Sequence, residues 1–261
     1  MIAARDRLAV AALTKALTGE FDLPTLLDTA ANDARAGFEA SSAAVILLDD
    51  HRRAGDAGVE VVAEALSSHA EVDPRFLTDG PALDSARGGA VTMIADLADA
   101  ADTRWPSYQR DALHAGMRAM RSFPVIVLGA SVGALVVHTP DPWGSQRSNE
   151  LGVILANLIA VAISVRNDSG RRRSDTSETI QTLLRGSVAI ATATGVIAEK
   201  LALEPARARL HLHRLARAHQ NTVTNHAERI IAAHDGEPDD DDLSGLLAAP
   251  TLPPPPSRID T

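Results

Sequence analysis

Apolar positions along the chain alternate between two spacings. Leu26, Leu27, Ala30, Ala34 and Phe38 recur at helical steps after Asp22 or Leu23 and Pro24, which predicts a helix running to about Glu39. Ala43–Leu48 is a short, unbroken apolar run closed by Asp49 and Asp50, the pattern of a buried strand. Val59–Ala65 is its expected partner after a Gly55–Gly58 turn, and Val91–Ile94 is a third strand. Residues 66–90, with Pro74, Gly80, Pro81 and Gly88-Gly89, read as a long polar connection of the kind that often carries function. Phe123–Leu128 and Val132–His138 flank Gly129-Ala130-Ser131 as a hairpin. From Ser148 a helix carries Leu151, Ile154, Leu158, Val161 and Val165, either as a short heptad seam or as the face of a buried helix.

Residues 167–177 are polar and aperiodic and read as a linker after a first domain of residues 1–166. Three helices are expected over 178–234. The first runs from Glu178 to Ala202, is capped by Ser177, and buries Ile180, Leu184, Val188, Ala191, Gly195 and Ala198. The small segment Ala193-Thr194-Gly195 would let another helix approach closely. The second runs from Pro205 to about His219 on Ala208, Leu212, Leu215, Ala216 and His219. The third begins near Asn221, with Val223, Ala227, Ile230 and Ile231 inward. The tail, 235–261, holds Asp239–Asp242 and Pro253–Pro256 and is expected to be disordered. The fold class is therefore an α+β domain with a single antiparallel sheet flanked by helices, followed by an all-α three-helix domain.

Composition narrows the chemistry. The 261 residues are 45% hydrophobic but only 3% aromatic, so the cores are built from Ala, Val, Leu and Ile. The absence of cysteine excludes disulfides, thiolate metal sites, a Cys nucleophile and a thioether-linked pigment. No segment reaches the roughly 20 apolar residues of a membrane helix, and the first 18 residues carry charges that a secretory signal would lack. The expected setting is the cytoplasm, with no membrane partner.

The net charge of −9 is unevenly spread. Residues 1–170 hold 14 Lys+Arg against 22 Asp+Glu, residues 171–234 hold 10 against 5, and residues 235–261 hold 1 against 7. A basic segment between acidic ones suggests a polyanionic partner, although an Arg-rich solvated helix face would give the same count. Nine of the ten cations in 171–234 are Arg, the side chain that both pairs with phosphate and stacks on bases. His211 and His213, two apart on a helix, diverge and make no metal pair. Asp239–Asp242 reads as a solvated run, or as a decoy folding back on the basic helices. No phosphate loop, nucleophile elbow or carboxylate pair is recognisable, so neither an enzyme nor a cofactor is expected.

Two resemblances join these readings. Val91–Leu97, Arg104-Trp105-Pro106, Met117–Val125 and the segment Gly129 to Val137 are similar in order and kind to the GAF family over residues 20–166. That resemblance implies a sensor fold that binds small molecules, holds chromophores or dimerises. Trp105 and Tyr108, near the end of a long loop, would line a pocket for an unknown ligand or serve as a lid packed on the core. The Asn-Lys-Phe-Asp-Glu signature of similar cyclic-nucleotide binders is not found. Val188, Ile190, Ala193, Gly195, Val196, Ile197, Ala208, Leu212, Leu215, Ala216, Ala227 and Ile230 resemble the ANTAR domain of transcription antitermination regulators over 178–234. This implies a homodimer that binds stem-loop RNA, and it places Thr194, Lys200, Arg207, Arg209, His213, Arg214 and Arg217 at the RNA surface. Three positions depart from the family: Thr194 stands for Lys, Arg209 for an aromatic and His213 for Arg. The alternatives are a signalling adaptor whose ANTAR-like part only dimerises, and a DNA-binding helical regulator, for which the second helix offers few base-reading side chains.

Overall fold

The computed structural model describes residues 4–19, 21–48, 58–67, 75–78, 80–99, 104–145, 147–167, 175–219, 221–236 and 240–248. It divides into two compact units, residues 1–185 and 186–261. In chain order the first unit contains α1 (Ala4–Ala16), α2 (Leu23–Gly37), β1 (Ser42–Leu48), β2 (Val59–Leu66), α3 (Arg75–Thr78), α4 (Gly80–Gly88), β3 (Thr92–Ile94), α5 (Pro106–His114), β4 (Ala119–Val127), β5 (Ala130–Thr139) and α6 (Glu150–Asn167). Helix α7 (Asp175–Leu201) runs from the first unit into the second, which continues with α8 (Pro205–Ala218), α9 (Val223–Asp235) and α10 (Asp240–Leu247).

The five strands form one sheet in the order β2-β1-β5-β4-β3, and every pairing is antiparallel. Alternation along each strand supplies two apolar faces. Ala43, Val45, Leu47, Phe123, Val125, Leu135 and Val137 face the core built with α1, α2 and α6. Ala44, Ile46, Met120, Ala134 and Val136 face α3, α4 and α5. Helix α2 begins as its sequence expects: the Asp22 carboxylate accepts from the Thr25 N–H, and Pro24 stands in the first turn. The β4–β5 turn is tighter than expected. It consists of Leu128 and Gly129, both at positive φ, the two-residue form that suits the twist of a hairpin.

Four sequence expectations are corrected. Residues 66–90 are not only a loop: α4 lies there, burying Pro81, Ala82, Leu83, Ser85 and Ala86. Pro81 suits a first turn, and its small neighbours let the helix lie close on the sheet. On α6 the core side is Leu151, Leu155, Ile159, Ala162 and Ile163, whereas Val161 and Val165 are exposed, which overturns only the buried-face alternative for the Leu151–Val165 stripe. On α7 the buried residues are Leu183, Ala189, Ile190, Ala193, Val196 and Ile197, whereas Val188 is 64% exposed and Ala191 and Gly195 face solvent. Each stripe is displaced by about one residue, a rotation of about 100°, because both helices are apolar on two adjoining faces. A Cβ at Gly195 would meet nothing within 4 Å, so no described helix approaches there. Ser177 falls inside α7 and does not cap it, and the Ile180 side chain lies outside the described residues.

The fourth correction concerns the tail. Residues 240–247 form α10, which buries Leu243 and Leu246 in the second core beside Leu212, Leu215, Ala227 and Ile230. The Leu243, Leu246, Leu247 spacing is helical, and the neighbouring acidic and proline runs concealed it. His226 Nε2 lies 3.2 Å from the Leu246 carbonyl and His219 Nε2 lies 2.9 Å from that of Ala248, with the two rings stacked. The second unit therefore has a fourth helix. Residues 249–261 and most of the linker, 168–174, lie outside the described residues. Leu246→Asp is expected to undock α10. Amides 243–248 should then exchange at least about tenfold faster while those of β4 and β5 keep their rates.

Candidate functional site

The layer between the sheet and α3–α5 holds the most unusual polar arrangement of the first unit. Register places Ser42 on β1 directly opposite His138 on β5. Ser42 Oγ lies 2.9 Å from His138 Nδ1, and Tyr108 Oη lies 2.9 Å from His138 Nε2. All three side chains are buried. Phe76 meets Tyr108 edge-on at 5.8 Å and His138 at 6.5 Å. Burial pushes the His138 pKa down to about 4 and raises that of Tyr108, so both groups are neutral and the imidazole bridges two hydroxyls. Both ring nitrogens are engaged by hydroxyls, Ser42 at Nδ1 and Tyr108 at Nε2, an arrangement unlike the carboxylate-oriented imidazole of a catalytic triad.

Trp105 ends the connection from β3 as the N-cap residue of α5, and Tyr108 lies inside that helix, its side chain buried against the sheet. Trp105 precedes the first turn of α5, and its Nε1–H donates to the Asp84 carboxylate of α4 at 2.9 Å. The Arg104 guanidinium lies 4.5 Å from the centre of the Trp105 ring. The pair therefore fastens α5 to α4 and to the sheet. His138 and Ser42 were not anticipated. The available signal was a histidine ending an otherwise apolar strand.

On the opposite face of the sheet, Arg121 stacks its guanidinium 4.7 Å from the Trp143 ring centre and donates from Nε to Asn149 Oδ1 at 3.2 Å. At the β3 end, Arg118 and Asp96 pair at 2.9 Å. The Ala98 N–H and Arg118 hold the Asp96 carboxyl below its ordinary range.

In the second unit the α8 residues divide as an amphipathic helix should. Ala208, Leu212, Leu215 and Ala216 are buried, while Arg207, Arg214 and Arg217 are exposed. At about 100° per residue these three arginines share a face whose centre is Leu210, 53% exposed and not anticipated from sequence. Arg209 and His213 are half-buried at its flank. Thr194 and Lys200 stand on α7. The Thr194 hydroxyl donates to the Ile190 carbonyl of its own helix at 2.7 Å and brings no charge, whereas Lys200 is exposed. No cluster of three or more His, Cys, Asp or Glu side chains among the described residues could hold a metal ion. No helix among them is long and apolar enough to cross a membrane.

A single antiparallel sheet with helices on both faces and a closed polar thread under one layer defines the first unit as an α+β domain. The GAF domain family matches residues 21–164, more than half of the chain, and the chain belongs to that family. No curated protein matches the sequence. Among solved structures, the chromophore-binding domain of an unusual bacteriophytochrome from R. palustris is similar at 18% identity, with 64% of this chain and 62% of that chain covered and a TM-score of 0.47. The GAF domain of an Acinetobacter phosphoenolpyruvate-protein phosphotransferase matches at 15% identity, covering 65% of this chain and 98% of that one at a TM-score of 0.46. A phycocyanobilin-bound GAF domain from a cyanobacterial phytochrome matches at 14% identity, covering 64% and 98% at a TM-score of 0.49.

Proposed function

We propose that this chain is a cytoplasmic, signal-responsive regulator whose helical second unit binds structured RNA, in the manner of a transcription antitermination protein. The observation that carries this reading is the α8 face on which Arg207, Arg214 and Arg217 surround exposed Leu210 while the opposite side builds the unit's own core. Guanidinium groups pair bidentately with phosphate and stack on unpaired bases, which suits loops and bulges better than regular duplex. The GAF domain supplies the sensing half, with the layer beneath α3–α5 as the place where a small molecule would act. The exposed valines of α6, Val153, Val161 and Val165, offer a seam to a second copy, and a signal would act on dimer geometry through that helix.

The test is binding of the purified chain to a pool of structured RNAs and to duplex DNA across a salt series. Stem-loop RNA should be selected, and affinity should fall steeply with salt. The double variant Arg214→Ala, Arg217→Ala should lose at least about tenfold and flatten the salt slope by about 1.5. No preference for RNA at low salt would end this reading. It would favour instead an adaptor that only dimerises, to which the neutral, self-bonded Thr194 already points.

A further inference from the structure

Among the described residues, Arg121 is a buried cation without a counter-charge. It is 7% exposed, and its Nη1 is buried with no hydrogen-bond partner. Arginine does not shed its proton in proteins, so the charge remains where burial disfavours it. Its surroundings add to the cost. Asn149, which accepts from Nε, is the residue whose carbonyl takes the first bond of α6, from the Val153 N–H at 3.0 Å. The guanidinium therefore stands against the N-terminal end of an 18-residue helix, whose first turn carries only the exposed carboxylate of Glu150. The Asn149 side-chain oxygen is a neutral acceptor, the Trp143 face gives only a cation–π contact, and among the described residues no carboxylate pairs with Arg121. Arg104 brings a second positive charge to the same sheet edge, donating to the Met93 carbonyl at 3.2 Å.

The approach to this charge is apolar. Register sets Met93 on the edge strand β3 directly opposite Arg121, and Met93 is 50% exposed. Val91, two residues earlier in an extended stretch and so on the same side, is 40% exposed. Exposed apolar side chains on the edge strand thus stand opposite a buried guanidinium at a helix N-terminus, a combination that favours a negative head on an apolar body.

We propose that Arg121, with the N-terminus of α6, forms a binding site for an organic carboxylate whose apolar body lies along Met93 and Val91. The head neutralises the guanidinium and the helix end together, and these apolar side chains separate a carboxylate with a chain from a bare anion. The site lies across the sheet from the Tyr108–His138–Ser42 layer and does not rest on the RNA-binding reading.

Trp143 is the built-in reporter. In full-length chain carrying Trp105→Phe it is the sole tryptophan, and its emission is followed at constant ionic strength against hexanoate, acetate, inorganic phosphate and chloride. Hexanoate should give a saturable change at least about tenfold tighter than acetate, since each buried CH₂ adds up to about 0.8 kcal/mol. Arg121→Met should abolish it. Because that variant removes a buried group and can fail to fold, Met93→Glu is the second arm. A carboxylate supplied from the opposing position should raise the melting temperature and eliminate the hexanoate response. An equal response to chloride and hexanoate, or no response, would overturn the site. Phosphate binding as tightly as hexanoate would overturn the assigned ligand class. A Met93→Glu protein that keeps the hexanoate response would overturn the placement.

Discussion

Gly133→Ala is expected to destabilise the first unit by about 3 kcal/mol or more, at or above the upper end of the usual cost of overpacking a core. Gly133 sits in the middle of the sheet, paired with Leu47 on β1 and Val125 on β4. A Cβ there would collide with the Ile46 carbonyl oxygen and lie 2.8 Å from Leu47 Cδ2 and 3.0 Å from Leu47 Cα. A side-chain end can rotate away, but two of these three obstacles are backbone of a hydrogen-bonded neighbour. Relief therefore requires β1 and β5 to separate where they are held most firmly. Gly129→Ala is the control: its φ is +82° and a Cβ there meets nothing within 4 Å, so only the conformational term applies, about 1–2 kcal/mol. Both tryptophans, Trp105 and Trp143, lie in the first unit, so urea unfolding followed by their fluorescence isolates that unit. A Gly133→Ala midpoint equal to that of Gly129→Ala would mean that the strands do not approach so closely.

The same sheet shows what is legible in the sequence. β1 and the β4–β5 hairpin declare themselves because an apolar run bounded by turn residues has few other uses, and their extents differ from expectation by only a few residues. Helices α6 and α7 are equally visible as helices, yet the side each buries is not. On α6 the pairs Ile154 with Leu158 and Leu155 with Ile159 both keep helical spacing on adjoining faces. Periodicity alone has no means of choosing between them, and tertiary packing does. Helix α8 escapes this ambiguity. Arg207, Arg214 and Arg217 occupy one side and Ala208, Leu212, Leu215 and Ala216 the other, so the exposed arginines were identifiable, although Leu210 in their midst was not. The polar thread was half legible. Tyr108 attracts attention as the sole tyrosine of an aromatic-poor chain. Ser42 becomes meaningful only once register sets it against a histidine 96 residues away. Long-range pairing of that kind leaves no mark on local spacing.

That histidine also makes the stability of the first unit depend on pH. His138 is buried, and its pKa falls to about 4 from 6.5 because a charged imidazole would have no solvent. In the unfolded chain it protonates as pH drops through about 6.5, so between those values the unfolded state holds more protons than the folded one. Stability is therefore complete above pH 6.5, declines as pH falls, and levels off below about 4. A shift of this size corresponds to about 3 kcal/mol over the full range, and about 2 kcal/mol should already be lost at pH 4.5. His138→Phe separates this contribution from other titrations. At pH 7 the variant should be less stable by about 2–4 kcal/mol, because the Tyr108 and Ser42 hydroxyls remain buried without the ring that joined them. Its further loss between pH 7 and 4.5 should be smaller than that of the unsubstituted chain by about 2 kcal/mol. The two proteins should therefore converge on acidification when tryptophan-monitored urea unfolding is repeated at each pH. Parallel curves would mean that His138 is solvated or already charged at neutral pH. Convergence would fix the neutral Ser42–His138–Tyr108 thread as the polar centre of the layer between the sheet and α3–α5, whose hydrogen bonds the fold satisfies internally.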